Sequence, residues 1–174
     1  MPEWKDIINY IITFLGIIIT GIFSYLVWKA TQQSTEVAKA SYKLSESIIN
    51  SQLQIKAKIK EEYIRTVCKN ANDVIDAIKS QKSTLKTYKI SNIPRSCGLT
   101  EEQIAEFFSD FERQAINNAW ECLDSYIEDY WIDPNGKIKE YFIENEAEEV
   151  RTNINKPLDV FNKLVEIMMK GEGN

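Results

Sequence analysis

The sequence predicts an all-α protein: a single N-terminal transmembrane helix that continues into a long helical rod, then a C-terminal antiparallel bundle of about three further helices. Three observations carry this. Residues 7–28 hold no charged side chain, and a helix of that length, at ~1.5 Å per residue, is about 33 Å long, enough to cross the core of a bilayer. Residues 22–93 contain neither glycine nor proline, so no strong helix breaker separates the apolar run from the segment after it. Beyond residue 100 apolar residues recur every three or four positions, and no segment alternates with the period of a strand.

A short tail, residues 1–6, precedes the span. The apolar run exceeds the core of a cleaved signal peptide, the leading segment Glu3, Trp4, Lys5 and Asp6 sets two acids against one lysine, and no small-x-small site comes after the run. Trp4 and Tyr10 near one end, and Tyr25 and Trp28 at the other, suit an interfacial aromatic belt. An uncleaved single-pass anchor in the cell (inner or plasma) membrane is therefore expected. Lys29, Lys39 and Lys43 come after the span while only Lys5 and the amino terminus precede it. That asymmetry places the N-terminus outside and the C-terminal domain in the cytoplasm.

Four of the polar and small residues within the span fall on one line. Asn9, Thr13, Gly16 and Thr20 are spaced by four, three and four, so they share a helix face, and small or hydrogen-bonding residues there let transmembrane helices approach closely. The same spacing continues through Phe23 and Val27 to Ala30, Ser34, Val37, Ser41, Leu44, Ile48, Ser51 and Ile55. A seam keeping one phase from bilayer to rod (residues 29–80) predicts a parallel homo-oligomer, although serine is a poor coiled-coil core residue. After Ile55 the pattern slips by one, to Ile59, Tyr63, Val67, Ala71, Val74 and Ile78, as at a stutter.

Residues 81–99 read as a basic loop. Lys79, Lys82, Lys86, Lys89 and Arg95 lie on or beside it, no acid occurs within it, and Pro94 and Gly98 interrupt any helix. Thr100 with Gln103 makes a capping box that opens an acidic helical domain, residues 100–174. One helix is expected to carry Ile104, Phe107, Phe108, Phe111, Ala115, Ala119, Leu123, Ile127 and Tyr130 on its buried face. Residues 133–136, Asp-Pro-Asn-Gly, form a turn. A shorter helix with Ile143, Ala147, Val150 and Ile154 comes next, and a last one restarts at Asn155 with Pro157 in its first turn, burying Leu158, Phe161, Val165 and Met168. These helices pack on the distal rod.

The residue inventory excludes most catalytic chemistry. There is no histidine, no glycine-rich phosphate loop and no Cys-x-x-Cys pair among Cys68, Cys97 and Cys122. A calcium loop around Gly136 fails because Trp131 and Phe142 stand where carboxylates are required. Cys68 beside Lys69 lacks a general base, the row Glu140, Glu144 and Glu148 reads as a solvated face, and the aromatics from Phe107 to Phe142 read as core rather than as a pocket. No enzyme activity, cofactor or metal is expected. Residues 29–95 hold 13 Lys and Arg against 6 Asp and Glu, and residues 96–174 hold 7 against 18. The acidic half is expected to dock on the basic half, which leaves nucleic acid an unlikely partner. Frequent Ile, Lys and Asn suit an AT-rich bacterial or phage genome. The expectation is a membrane-anchored homo-oligomer acting as scaffold, sensor or accessory subunit for a protein partner. The alternative is a holin- or toxin-like pore, with Asn9, Thr13 and Thr20 facing a wet lumen.

Overall fold

A computed structural model describes residues 4–170. All of its regular elements are helices, and no strand occurs among the described residues. The first helix, α1 (Trp4–Lys79), is 76 residues long and unbroken. It starts inside the six residues expected as a tail and ends one residue short of the expected rod. Five helices come after it: α2 (Thr87–Ser91), α3 (Glu101–Phe107), α4 (Asp110–Trp131), α5 (Glu144–Thr152) and α6 (Asn155–Lys170).

The chain divides into two units at residues 54 and 55. In the first, residues 4–54 of α1, every side chain is exposed. The second gathers the rest of α1 and the five shorter helices around one core. Burial on α1 begins at Ile64 and continues through Val67, Ala71, Val74 and Ile78. The one-residue slip after Ile55 thus marks where the helix takes on a tertiary partner. From α4 come Ile116, Ala119, Leu123, Ile127 and Trp131, and from α6 Leu158, Phe161, Leu164 and Met168. Helix α4 packs on both α5 and α6. Edge-to-face aromatic pairs lock the layers: Trp120 on Phe161 and Trp131 on Phe142, each with centroids 5.1 Å apart.

The helix expected from residue 100 to 130 is two helices. Phe108 is extended at the end of α3, and Ser109 starts α4 with a second capping box, in which Glu112 N bonds Ser109 Oγ and Ser109 N bonds Glu112 Oε2 at 2.7 Å. Phe108, Ala119, Leu123 and Ile127 are buried as the spacing predicts, but the restart widens the buried face. Phe111, expected in the core, is 64% exposed, while Ile116, Trp120, Tyr126 and Trp131 are buried. The box of Thr100 and Gln103 forms as the sequence predicts.

The expected basic loop is also partly helical, since α2 occupies five of its residues. Fully buried Gln81 shapes the turn before it. Its amide donates to Ala77 O (2.8 Å) and its carbonyl accepts from Lys86 N (2.6 Å). Gly98 has φ +84°, and a Cβ there would lie 2.5 Å from Asn70 Nδ2, the atom that donates to Cys97 O at 2.9 Å. The turn at 133–136 forms around Asp133, whose Oδ1 accepts from Asn135 N and Lys137 N. Ile143, expected to be buried, is 67% exposed because it precedes α5, where its N–H meets the Glu146 carboxylate. Val150 and Ile154 are buried as the spacing predicts, and on α6 Leu164 rather than Val165 joins Leu158, Phe161 and Met168 in the core.

Candidate functional site

Two regions of α1 hold the side chains from which a function can be argued: the exposed face of residues 9–55, and the segment gripped by α3 and α4. On the first, all the seam residues Asn9, Thr13, Gly16, Thr20, Ala30, Ser34, Val37, Ser41, Leu44 and Ile48 are exposed. Val37 and Leu44 keep 65% and 63% of their surface, and a Cβ on Gly16 would meet nothing within 4 Å. The helix is long and apolar enough to cross a membrane, and none of its apolar stretch is covered by the protein itself.

The threonine hydroxyls on this line are already satisfied. Thr13 Oγ1 donates to Asn9 O and Thr20 Oγ1 to Gly16 O, both at 2.8 Å, and Thr31 and Ser51 likewise donate four residues back. Such bonds remove the cost of placing a hydroxyl donor in hydrocarbon and leave its methyl or methylene surface to pack.

The second region opens just past Ile55, where the second unit begins. Lys56 Nζ lies 3.2 Å from Glu106 Oε1 at the surface. Lys60 Nζ lies 3.0 Å from both oxygens of Glu112, a buried carboxylate that also accepts from Ser109 N. The same ammonium stands 5.7 Å over the Phe108 ring. One turn on, Tyr63 meets Phe107 edge-on, and its hydroxyl accepts from Gln103 Nε2 at 3.1 Å. The bend between α3 and α4 is thereby fastened to α1. Burial pushes the Glu112 carboxyl up, but the Ser109 amide, the Lys60 ammonium and the Ser109 hydroxyl together outweigh it and hold the group below the ordinary glutamate range. Sequence reasoning missed this residue, although the Ser109-x-x-Glu112 pattern was there to be read.

Charge does not cancel between the halves as expected. Lys56–Glu106, Lys60–Glu112 and Arg95–Asp124 (3.8 Å) join them. Lys79, Lys82, Lys86 and Lys89 make no ion pair among the described residues; the first two are exposed and the other two half-buried. On the acidic side Lys139 pairs with Glu146 at 3.0 Å, while Glu140, Glu144, Glu148 and Glu149 stay exposed.

The remaining features are structural. Most of the aromatic group is core; Phe111 instead lines an open groove of about 230 Å³ between α4 and α6, with Ala115, Asn118, Val160 and Lys163. Tyr126 is buried, which pushes its phenol up to about 12, and its hydroxyl donates to Val150 O. Burial also pushes the Cys122 thiol up, against the pull of Lys156. Among the described residues no group of three metal-ligating side chains converges. No protein family, curated protein or solved structure matches this chain.

Proposed function

We propose that the protein is a single-pass membrane anchor that self-associates in parallel along α1 and presents its helical bundle, on the cytoplasmic side of a bacterial cell membrane, as a scaffold, sensor or accessory subunit for a protein partner. On this reading it is not an enzyme. The observation that carries the proposal is the contrast in cover along α1. Residues 7–28 have the length and composition for lipid, whereas residues 30–55 keep Val37, Leu44, Ile48 and Ile55 exposed outside that apolar run. Water is a poor solvent for such a face, and a second copy in the same phase supplies apolar cover. The internal bonds of Thr13 and Thr20 favour an anchor over a pore, because a lumen is not needed to satisfy their hydroxyls.

Cysteines introduced in the full-length protein test this in native membranes. Ser34→Cys and Ser41→Cys should form cross-linked pairs, and Gln32→Cys should not. Equal yields at all three positions would sink the seam. A depolarised membrane on expression, restored by Asn9→Leu with Thr13→Leu, would instead establish the pore.

A further inference from the structure

A residue's place in a seven-residue repeat decides whether it faces a parallel partner: positions a and d form the contact, e and g flank it, and b, c and f turn away. With Ser34, Ser41, Ile48 and Ile55 at a, the d positions are Ala30, Val37, Leu44 and Ser51. In residues 29–54 the charged side chains are Lys29, Glu36, Lys39, Lys43 and Glu46, and every one falls at c or f. The flanks are Thr31, Ala38, Ser45 and Gln52 at e, and Gln33, Ala40, Ser47 and Gln54 at g. Coiled coils commonly carry charge at e and g. Here the whole contact strip, flanks included, is uncharged and mostly small.

Past Ile55 the same register reverses. Positions a and d become Lys58, Glu62, Arg65, Lys69, Asn72, Asp76 and Lys79, every one of them exposed. Arg65 already pairs with Glu61 and Glu62 of its own helix. The residues buried in the bundle, Ile64, Val67, Ala71, Val74 and Ile78, stand at c and f. Where α1 packs on its own bundle, it therefore uses the repeat positions that carry charge before Ile55.

We propose, resting on the self-association reading above, that two copies of α1 pair in parallel and in register through a stem that ends at Ile55, beyond which their chains separate. In an in-register pair each a or d residue meets its own counterpart. Small and apolar residues up to Ile55 match themselves, whereas Lys58, Glu62, Lys69 and Asp76 would each face a like charge. Ile48 and Ile55 at a with Leu44 at d are the arrangement that favours two strands. The contact is also of the right size. A strip about 70 Å long and about 10 Å wide, from residue 9 to 55, covers roughly 1,400 Å² over both copies, within the ~1,200–2,000 Å² of stable interfaces. The part outside the span, residues 29–55, reaches only about 800 Å² by the same geometry. Span and rod are both needed.

Disulfide cross-linking along one edge of the full-length protein in membranes tests this, with the wild-type chain as the background from Cys68, Cys97 and Cys122. Ser34→Cys, Ser41→Cys and Ile48→Cys should give a dimer and no higher ladder. Glu62→Cys, Lys69→Cys and Asp76→Cys, all at exposed a positions, should lose cross-linking to the wild-type background, because disulfides do not span Cα separations beyond about 7 Å. Cross-linking at residues 62, 69 and 76 as strong as at Ser41→Cys overturns the boundary. A ladder of trimers and larger species, from chemical cross-linking of the same membranes, overturns the two-stranded stem and leaves self-association standing. No cross-link at residues 34, 41 or 48 removes both.

Discussion

Residues 4–54 of α1 bury no side chain at all, whereas residues 64–78 of the same helix bury seven. The backbone bonding is the same in both stretches, so helix formation alone does not separate them. What differs is where the stabilisation comes from. An isolated helix in water is marginal, and most helical stability in proteins comes from packing an apolar face. The distal stretch finds that cover within its own chain, in the core it shares with the shorter helices. The proximal stretch has no such cover within its own chain; on the reading proposed above it finds it outside, in lipid for residues 7–28 and in another copy beyond them. One covalent helix is thus bare along one part and covered along the other, and substitutions on its two parts should be read by different assays.

The largest effect is expected in the bundle. Phe161 is fully buried against Trp120, and Phe161→Ala should cost about 3–5 kcal/mol, a large share of the roughly 5–15 kcal/mol typical of a domain. The near-ultraviolet circular dichroism melt of the full-length protein in detergent should shift down or lose its cooperativity. Leu44→Ala with Ile48→Ala should leave that melt in place and instead reduce the dimer captured through Ser41→Cys. If the double variant moves the melt as far as Phe161→Ala does, the two regions are not independent and the comparison fails.

How much of the fold was legible in the sequence tracks the same divide. The length of α1 could be read because it needs only the absence of breakers, and the Thr100 box and the Asp133 turn because they are local. Helix α6 was legible from Pro157 in its first turn and its apolar stripe. The break at Phe108 was not, since the three- and four-residue spacing from Ile104 to Tyr130 runs through it. Only the Ser109 box, bonding Glu112 back onto the Ser109 amide, marks the break; Ala119, Leu123 and Ile127 keep the expected face beyond it, and Phe111, in the first turn of α4, lies outside the core. The burial of Glu112 depends on Lys60, 52 residues away, a pairing that no window of sequence contains. The seam is a different matter: its spacing is plain in the chain, but nothing in the chain's own fold covers it.

Glu112 allows a sharper test, on the join between the two regions. Its carboxyl titrates below the ordinary glutamate range in the folded protein. The folded state therefore binds that proton less readily than the unfolded chain. The stability it contributes is complete above the unfolded pKa of about 4.3 and is lost as pH falls through the lower folded value. Glu112→Gln keeps the shape and removes the charge. It should cost about 1–2 kcal/mol near neutral pH, the low end for a charged hydrogen-bonded group because Lys60 is a third exposed and can turn to water. The melting midpoint of the wild type should fall more steeply than that of the variant between about pH 5 and pH 3. Parallel pH profiles would show that the pair does not hold the bend between α3 and α4.

The smallest effect is expected one turn earlier, where the chemistry is nearly the same and the cover is not. Lys56 and Glu106 lie 3.2 Å apart, with side chains 63% and 57% exposed, against 32% and 9% for Lys60 and Glu112. Exposed pairs contribute about 0.2–1 kcal/mol, and salt screens them. Lys56→Ala should therefore shift the melt only slightly, and not at all in about 0.5 M salt, where the Debye length is only a few ångströms. The effect of Glu112→Gln should survive that salt, because its carboxylate is shielded and bonded to the Ser109 amide as well as to Lys60. If the two substitutions respond to salt alike, the start of the bundle's grip on α1 is set by charge rather than by burial. The boundary at Ile55 should then move with ionic strength, and cross-linking through Glu62→Cys should appear as salt is raised.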